Sequence, residues 1–305
     1  MNLKDNFHTY AIITIIFWSL AYVLTRLTIQ YFTAFSLGFL RYFVASCTLI
    51  IVALLTKMDP PHKSDLPWFI ASGTIGFFFY IIVFNKGVET VTSSTGGVII
   101  ATVPVITALL ARIIFKEILR VFQWGAIAIE FIGVLVLTMM NGIFSINTGL
   151  FWLFLAVLAL SAYNLFQRKL TKNYTALQSC SYSIFFGTIL LAIFLPTSIK
   201  EVLHAPSIQL FYIIFLGVFS SAIAYVAWSK AFAIATKTSQ VSNYMFVTPF
   251  LTSVFGFLII KEVPDLATII GGTIILFGVF LFNFGEKIYE RIYNKNIKER
   301  KGVYN

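Results

Sequence analysis

The sequence predicts an all-α integral membrane protein with ten transmembrane helices in two inverted-topology five-helix repeats. Composition, the spacing of apolar runs and an internal repeat predict this fold. Of the 305 residues, 59% are hydrophobic and 11% are charged, whereas a soluble domain has about 25% charged residues. Runs of about twenty apolar residues recur along the whole length, which is typical of a helical protein that crosses the bilayer many times.

Turn residues such as Asp59-Pro60-Pro61 and Asn141-Gly142 divide these apolar runs. The first run is too long and too aromatic for a cleaved signal peptide, so we expect it to be retained. Most connections are very short, so neighbouring helices must run antiparallel. The ten predicted helices cover residues 9–29, 33–55, 66–86, 92–114, 121–141, 148–169, 174–196, 207–229, 238–260 and 264–285.

The internal repeat is carried by residues 84–117 and 228–262. In each copy a proline stands twelve residues before a Lys-Glu pair, and a glycine follows the glutamate by sixteen residues. The chain is therefore expected to consist of a first five-helix repeat (1–141), a second (146–285) and a basic cytoplasmic tail (286–305). The matched residues are Pro104 and Pro249, Lys116-Glu117 and Lys261-Glu262, and Gly133 and Gly278.

Lysines and arginines at the helix ends are distributed unequally, with seventeen on the side of the N-terminus and four on the other. This excess predicts that both termini are cytoplasmic in an inner or plasma membrane, and it accounts for the net charge of +10 without a nucleic-acid partner. Because five is an odd number, two tandem copies enter the membrane from opposite sides. Inverted repeats are typical of secondary transporters, whose site lies near the midplane.

Together with Phe17-Trp18-Ser19 and Arg26 in the first helix, these repeated motifs resemble the EamA-type transporters of the drug/metabolite transporter superfamily. The resemblance covers about residues 9–285. It implies ten helices and the export or exchange of small metabolites by alternating access, with amino acids or related amines as the first expectation. Proton antiport, facilitated diffusion and exchange all remain open. A sugar-phosphate or nucleotide-sugar exchanger is the alternative, although it would favour several midplane cations.

An integral membrane transferase is the alternative from another class. It would need a nucleophile or acid/base set, and the sequence has no His-x-x-x-x-Asp, no Gly-x-Ser-x-Gly and no clustered histidines. The sequence contains no GxxxxGK[ST] motif, and this absence argues against direct use of ATP. Cys47 and Cys180 are far apart and lack metal-ligand spacing. We therefore expect no enzymatic activity, no metal and no cofactor.

Two charged residues fall near the middle of predicted helices, where an unpaired charge is costly. Arg41 and Glu130 both lie roughly 12–14 Å into a hydrocarbon core about 30 Å thick. Equal depth permits a salt bridge or a shared aqueous cavity. Glu130 is either a substrate contact or proton-coupling carboxylate, or a structural partner of Arg41 or of hydroxyl groups. Its repeat position is occupied by Ile275.

The remaining candidates for substrate binding are aromatic or amide side chains away from the helix ends. Asn164 and Gln167 lie near Tyr163, and Asn243 precedes Tyr244. Pro104 and Pro249 are expected in mid-helix, where a proline frees a carbonyl and bends the helix, so they are candidates for gating. The aromatic candidates are Trp18, Tyr22, Tyr80, Tyr163, Tyr182, Tyr225 and Tyr244.

Overall fold

The computed structural model describes residues 6–88, 99–139, 148–261 and 266–302, and within these ranges the regular structure is entirely helical. The α-helices are α1 (Phe7–Thr28), α2 (Ala34–Leu55), α3 (Leu66–Gly73), α4 (Tyr80–Val88), α5 (Val103–Phe115), α6 (Val121–Met139), α7 (Thr148–Leu170), α8 (Ala176–Leu191), α9 (Leu195–His204), α10 (Ser207–Phe215), α11 (Ala224–Ile234), α12 (Thr238–Ser242), α13 (Thr248–Ile260) and α14 (Leu266–Gly302).

Seven helical stretches of the described residues are long and apolar enough to cross a membrane. They are Phe7–Thr28, Ala34–Leu55, Lys63–Gly87, Thr148–Leu170, Ala176–His204, Ser207–Ile234 and Thr238–Ile259. Three shorter apolar helices accompany them, at Val103–Phe115, Val121–Val136 and Ile269–Gly285. The first part of the predicted helix 92–114, up to residue 98, lies outside the described residues.

The helical stretch beginning at Ala176 is longer than the predicted helix 174–196 and continues to His204. A 3₁₀ turn at Ala192–Phe194 joins α8 to α9. Pro196 occupies the first turn of α9, where a helix does not need the backbone N–H that proline lacks. The proline therefore begins a new helix instead of ending the stretch.

The same positional effect changes the interpretation of Pro104 and Pro249. Both lie in the first turn of a helix, α5 and α13 respectively. The stretch Thr238–Ile259 is interrupted by a 3₁₀ turn at Asn243–Val247, directly before α13. The mid-helix location expected from the sequence is therefore wrong: the prolines start helices after an irregular segment.

Two π-helical segments occupy equivalent positions in the two halves of the chain. Thr74–Phe79 connects α3 to α4, and Leu216–Ile223 connects α10 to α11. The α-helices on either side continue directly from them. A π turn displaces the helical register and is frequent at functional sites, so both segments are expected to present side chains to the site.

A second paired feature ends the helices α5 and α13. Lys116 and Lys261 have φ values of 56° and 62°, in the left-handed region. A left-handed residue is a common way to terminate a helix, although it usually falls to glycine. The repeated Lys-Glu motif therefore begins with a helix terminator in both halves.

Equivalent helices of the two halves also have equivalent packing partners. Helix α1 of the first half packs on α11 and α13 of the second half. Helix α7 of the second half packs on α4 and α5 of the first half. The helices α2 and α8 pack on each other, and α6 runs along α14. The centre of the bundle is consequently formed by α1, α2, α7, α8, α11 and the π segments.

A small cluster of Phe69, Leu170 and Tyr174 lies apart from this centre. Tyr182 packs against the cluster and donates to the carbonyl of Asp59 at 3.1 Å. The sequence suggested that Tyr182 lines a cavity, whereas the structure places it against this separate cluster. Burial, and a hydrogen bond donated to the carboxylate of Asp65, raise the pKa of Tyr174 in the connection between α7 and α8.

Candidate functional site

Five aromatic rings meet at the centre of the bundle and form what we call the aromatic cage. Tyr225 is its middle member, with ring centroids 5.0 Å from Trp18, 5.0 Å from Phe77, 5.7 Å from Tyr163 and 6.4 Å from Tyr42. All five side chains are buried. They come from α1, α2, α7, α11 and the first π segment, so the cage joins the two halves.

Arg41 lies against this cage. Its Nε donates to the hydroxyl of Ser221, and its Nη2 donates to the carbonyl of Ser220 at 3.3 Å. The guanidinium carbon is 5.8 Å from the ring centroid of Tyr42. Both serines belong to the second π segment. Because a guanidinium carries five N–H donors, most of them stay available to a ligand.

Tyr22 and Tyr80 flank the arginine on its more open side. Both phenols are close enough to the Arg41 guanidinium to interact with its charge. Their rings lie 6.4 Å and 5.5 Å from the ring of Phe84. Tyr22 is 39% exposed and Tyr80 is half-buried, so the structure places both predicted residues near Arg41.

The cage contains buried hydrogen-bond donors without partners. The indole N–H of Trp18 and the hydroxyl of Tyr163 have none. Leaving a buried polar group unsatisfied costs about 1–3 kcal/mol, so such groups mark a place where a ligand is expected to supply acceptors. Together with the free N–H groups of Arg41, they make the cage complementary to an anionic or acceptor-rich group.

Asn164 lies behind the cage, and both its amide oxygen and its amide nitrogen bond within the protein. Its Oδ1 accepts from the indole N–H of Trp228 at 3.0 Å, and its Nδ2 donates to the hydroxyl of Thr107 at 3.3 Å. The Trp228 ring is 5.1 Å from that of Trp18. Asn164 therefore positions a wall of the cage from behind.

Glu130, Asn243 and Tyr244 form a separate group. Asn243 Nδ2 donates to Glu130 Oε1 at 2.9 Å, and the Tyr244 hydroxyl is 2.6 Å from His8 Nδ1. Arg41 and Glu130 do not pair, because α2 packs against α8 and the second π segment whereas α6 packs along α14. Similar depth in the membrane does not bring the two charges to the same side of the bundle.

A second polar group, which we call the Glu117 latch, connects the first half of the chain to the second. The Glu117 carboxylate accepts from the backbone N–H of Thr238 at 2.8 Å and from its hydroxyl at 2.7 Å. Lys237 donates to the carbonyl of Ile118 at 2.8 Å. Arg168 Nε lies 4.0 Å from the same carboxylate.

Arg168 also holds the end of α11, donating to the carbonyls of Phe232, Ala235 and Thr236, each at 2.6 Å. The last carbonyls of a helix lack hydrogen-bond donors within it, and the Arg168 guanidinium supplies these donors. Arg168 is a half-buried part of the latch.

Sequence reasoning missed several residues of the cage and of its immediate surroundings. Tyr42 adjoins Arg41, and Ser220-Ser221 is a polar pair within an apolar run, so both carried a usable signal. Phe77 and Trp228 carried none, because the chain has 33 phenylalanines and 5 tryptophans.

A cavity of about 530 Å³ lies beside the cage, between α1, α2, the start of α8 and α11. It is lined mostly by apolar side chains such as Ile13, Leu49 and Val226, with Lys230 at one edge. None of the side chains predicted to bind substrate lines it. Within the described residues, no group of three or more His, Cys, Asp or Glu side chains is arranged to hold a metal ion.

Membrane-length helices around a half-buried arginine and unpartnered donors are the arrangement expected of a multi-pass membrane transporter. The chain belongs to the EamA-like transporter family, whose model matches residues 7–139 and again residues 147–284. The resemblance inferred from the repeated motifs is thereby confirmed, and the two matches give the chain two EamA repeats.

Several relatives of similar length are known as transporters. An uncharacterized transporter of Bacillus subtilis, YdfC, is 29% identical over 263 residues, covering 86% of each chain. A probable terminal-alkyne amino-acid exporter of Streptantibioticus cattleyicolor is 27% identical, covering 89% of this chain and 91% of the relative. An S-adenosylmethionine uptake transporter of Rickettsia bellii is 22% identical, covering 83% and 85%.

A protein of known crystal structure has a similar fold, with a TM-score of 0.76 at 16% sequence identity. The match covers 92% of this chain and 98% of the other. At this identity the likeness concerns the fold alone.

Proposed function

We propose that the protein is a secondary transporter that moves amino acids or related amines bearing a carboxylate across the cell membrane by alternating access. In this proposal ten helices form two inverted repeats, over residues 1–141 and 146–285, and residues 286–305 are a basic cytoplasmic tail. Both termini are cytoplasmic. The transported solute binds in the aromatic cage beside Arg41.

The observation that carries the proposal is Arg41 with unused N–H donors at the rim of a cage of buried rings. A guanidinium pairs with a carboxylate through two parallel hydrogen bonds. The Trp18 indole and the Tyr163 hydroxyl offer further donors. Aromatic faces favour an apolar side chain and also attract an ammonium group, so one small molecule with all three features matches the chemistry of the cage.

The relatives support the same class of solute. The amino-acid exporter and the S-adenosylmethionine uptake transporter are named for compounds that contain an amino group and a carboxylate. Their names differ in the direction of transport, and alternating access permits either direction.

Inverted repeats and alternating access are supported by features that recur at equivalent positions in the two halves. The π segments, the left-handed lysines and the helix-starting prolines are of this kind. The excess of lysine and arginine on one side supports a cytoplasmic position for the Glu117 latch. Because the latch is closed and Tyr22 is exposed, we assign this conformation to the outward-facing state, with Pro104 and Pro249 at the start of the helices that move.

A sugar-phosphate or nucleotide-sugar exchanger is the less favoured alternative. Phosphate groups carry more charge than a carboxylate and are generally bound by several cations. Arg41 is the only basic side chain of the described residues that contacts the cage.

Counterflow in liposomes tests the proposal. The purified protein is reconstituted with a mixed internal pool of amino acids, amines and sugar phosphates, and exchange is followed by mass spectrometry. Selective exchange of amino acids is expected. Exchange of sugar phosphates instead would favour the alternative, and no exchange by demonstrably folded protein would contradict the proposal.

A further inference from the structure

Glu130 is a buried acid that the aromatic cage does not use. Its side chain has no exposed surface. Oε1 accepts a hydrogen bond from Asn243, and Oε2 has no partner. The Cγ atom lies so close to α14 that a Cβ at Gly278 would approach it to 2.4 Å. The carboxyl is therefore packed between helices and cannot move away to solvent.

The charged and titratable groups around Glu130 are few. Its own helix, α6, carries no other ionisable side chain, and α14 carries none between Leu266 and Gly285. From the broken stretch opposite come Asn243 and Tyr244, and Tyr244 is bonded to His8 of α1. No lysine or arginine of the described residues lies within ion-pair distance of Glu130.

An isolated carboxylate buried in this way is costly unless a cation or a proton neutralises it. Asn243 is suited to both forms of the acid. Its amide N–H₂ donates to the carboxylate, and the same amide turned over presents its oxygen to a carboxylic acid O–H. The Oδ1 of Asn243 has no partner, so the exchange breaks only the bond from Asn243 Nδ2 to Glu130 Oε1.

The position of Asn243 links this acid to the latch. Thr238 begins α12 and is bound by Glu117, and Asn243 begins the 3₁₀ turn that directly follows α12. One short segment is therefore held by Glu117 at its start and by Glu130 five residues later. The two contacts are about one and a half helical turns apart.

We propose that Glu130 and Asn243 form a proton-binding site, separate from the solute cage, whose occupancy controls the segment that carries the Glu117 latch. The inference rests on the proposed transport function. It assigns the coupling ion as a proton, which binds the Glu130 oxygen that faces Asn243 and leaves it again, with Asn243 turning its amide between the two states. Binding and release of the proton then bias opening of the cytoplasmic side.

The proposal is tested first without transport. Infrared difference spectra of the purified full-length protein are recorded between acidic and alkaline buffers, where a buried carboxylic acid gives a band apart from those of solvated acids. A titrating band that Glu130→Gln removes and Glu201→Gln retains is expected. Asn243→Leu should keep the band but displace it. A wild-type spectrum without such a band would overturn the proposal.

Transport in liposomes is the second test. With a pH gradient, wild-type protein should accumulate solute, and Glu130→Gln should lose this accumulation while exchange in counterflow is still measurable. Accumulation driven by a sodium gradient instead, or normal dependence on the pH gradient in the variant, would contradict the assignment. Failure of counterflow in wild-type protein would count against the transport function itself, so the two failures are distinguishable.

Discussion

Ser19 and Ser161 make the same hydrogen bond from equivalent positions in the two halves of the chain. Each hydroxyl donates, at 3.3 Å, to the carbonyl of the residue that precedes a repeated proline. The bonds tie α1 to α13 and α7 to α5. The duplication visible in the sequence therefore extends to individual side-chain contacts, and it places the starts of both proline-led helices against the core of the bundle.

Weakening the Glu117 latch should open the cytoplasmic side. Glu117→Ala removes the bonds to Thr238, and loss of such a cap costs about 0.5–2 kcal/mol, so the open population should rise about 2- to 30-fold. The native Cys180 reports this opening, since it is buried near the start of α8 beside Tyr163. In a Cys47→Ser background, its labelling by a water-soluble thiol reagent should accelerate by this factor.

Glu201→Ala is the matched control for the latch. Glu201 accepts from the backbone N–H of Thr33 at 3.0 Å, a bond of the same kind at another helix start. Its loss should leave the labelling rate of Cys180 unchanged. Equal acceleration in both variants would mean that general loosening, and not the latch, exposes the cysteine.

The neighbouring residues Trp18 and Trp228 should respond differently to substitution by phenylalanine. Trp18→Phe keeps a ring and removes an N–H that has no partner, so stability should hold or rise while affinity for solute falls about tenfold, the value of one hydrogen bond to a charged group. Trp228→Phe leaves Asn164 Oδ1 without its donor, and should lower stability by about 1–3 kcal/mol.

Thermal unfolding in detergent and solute binding, measured on the same preparations, check this pair. Unchanged affinity in Trp18→Phe would remove its indole from the binding site. A Trp228→Phe variant as stable as the wild type would contradict the structural role of the bond to Asn164.

Gly76 permits the close contact between the first π segment and Tyr163. A Cβ at Gly76 would lie 2.3 Å from the Tyr163 ring, so Gly76→Ala should destabilise the protein by about 1–3 kcal/mol and displace a wall of the cage. Gly125→Ala is the control, because a Cβ there meets nothing within 4 Å. Thermal unfolding should separate the two variants, and equal midpoints would contradict the packing described at Gly76.

The repeat made the family and the helical membrane fold predictable, because its spacing survives in the sequence. Arg41 and Glu130 were also identifiable, since charges are rare in membrane helices. Their partners were not, because a sequence gives the depth of a residue but not its direction around the bundle. The contact of Glu117 with Thr238 joins residues 121 positions apart, and no local pattern encodes it.

The aromatic cage was only partly predictable for a different reason. With 33 phenylalanines and 14 tyrosines in the chain, a single aromatic residue says little about a site. Phe77 became identifiable only when the first π segment was placed beside Tyr225. The prolines were misplaced because periodicity alone does not reveal the irregular segment that precedes each helix.

The central claim is that Arg41 recognises a carboxylate. Measuring solute binding to the Arg41→Met variant tests this claim most directly. Isothermal calorimetry would compare an amino acid found in counterflow with the amine that lacks its carboxylate, using Lys200→Met as a control for loss of charge. The amino acid should bind the wild type more tightly than the amine by about tenfold or more, and Arg41→Met should abolish that preference. An undiminished preference in folded Arg41→Met would contradict the account.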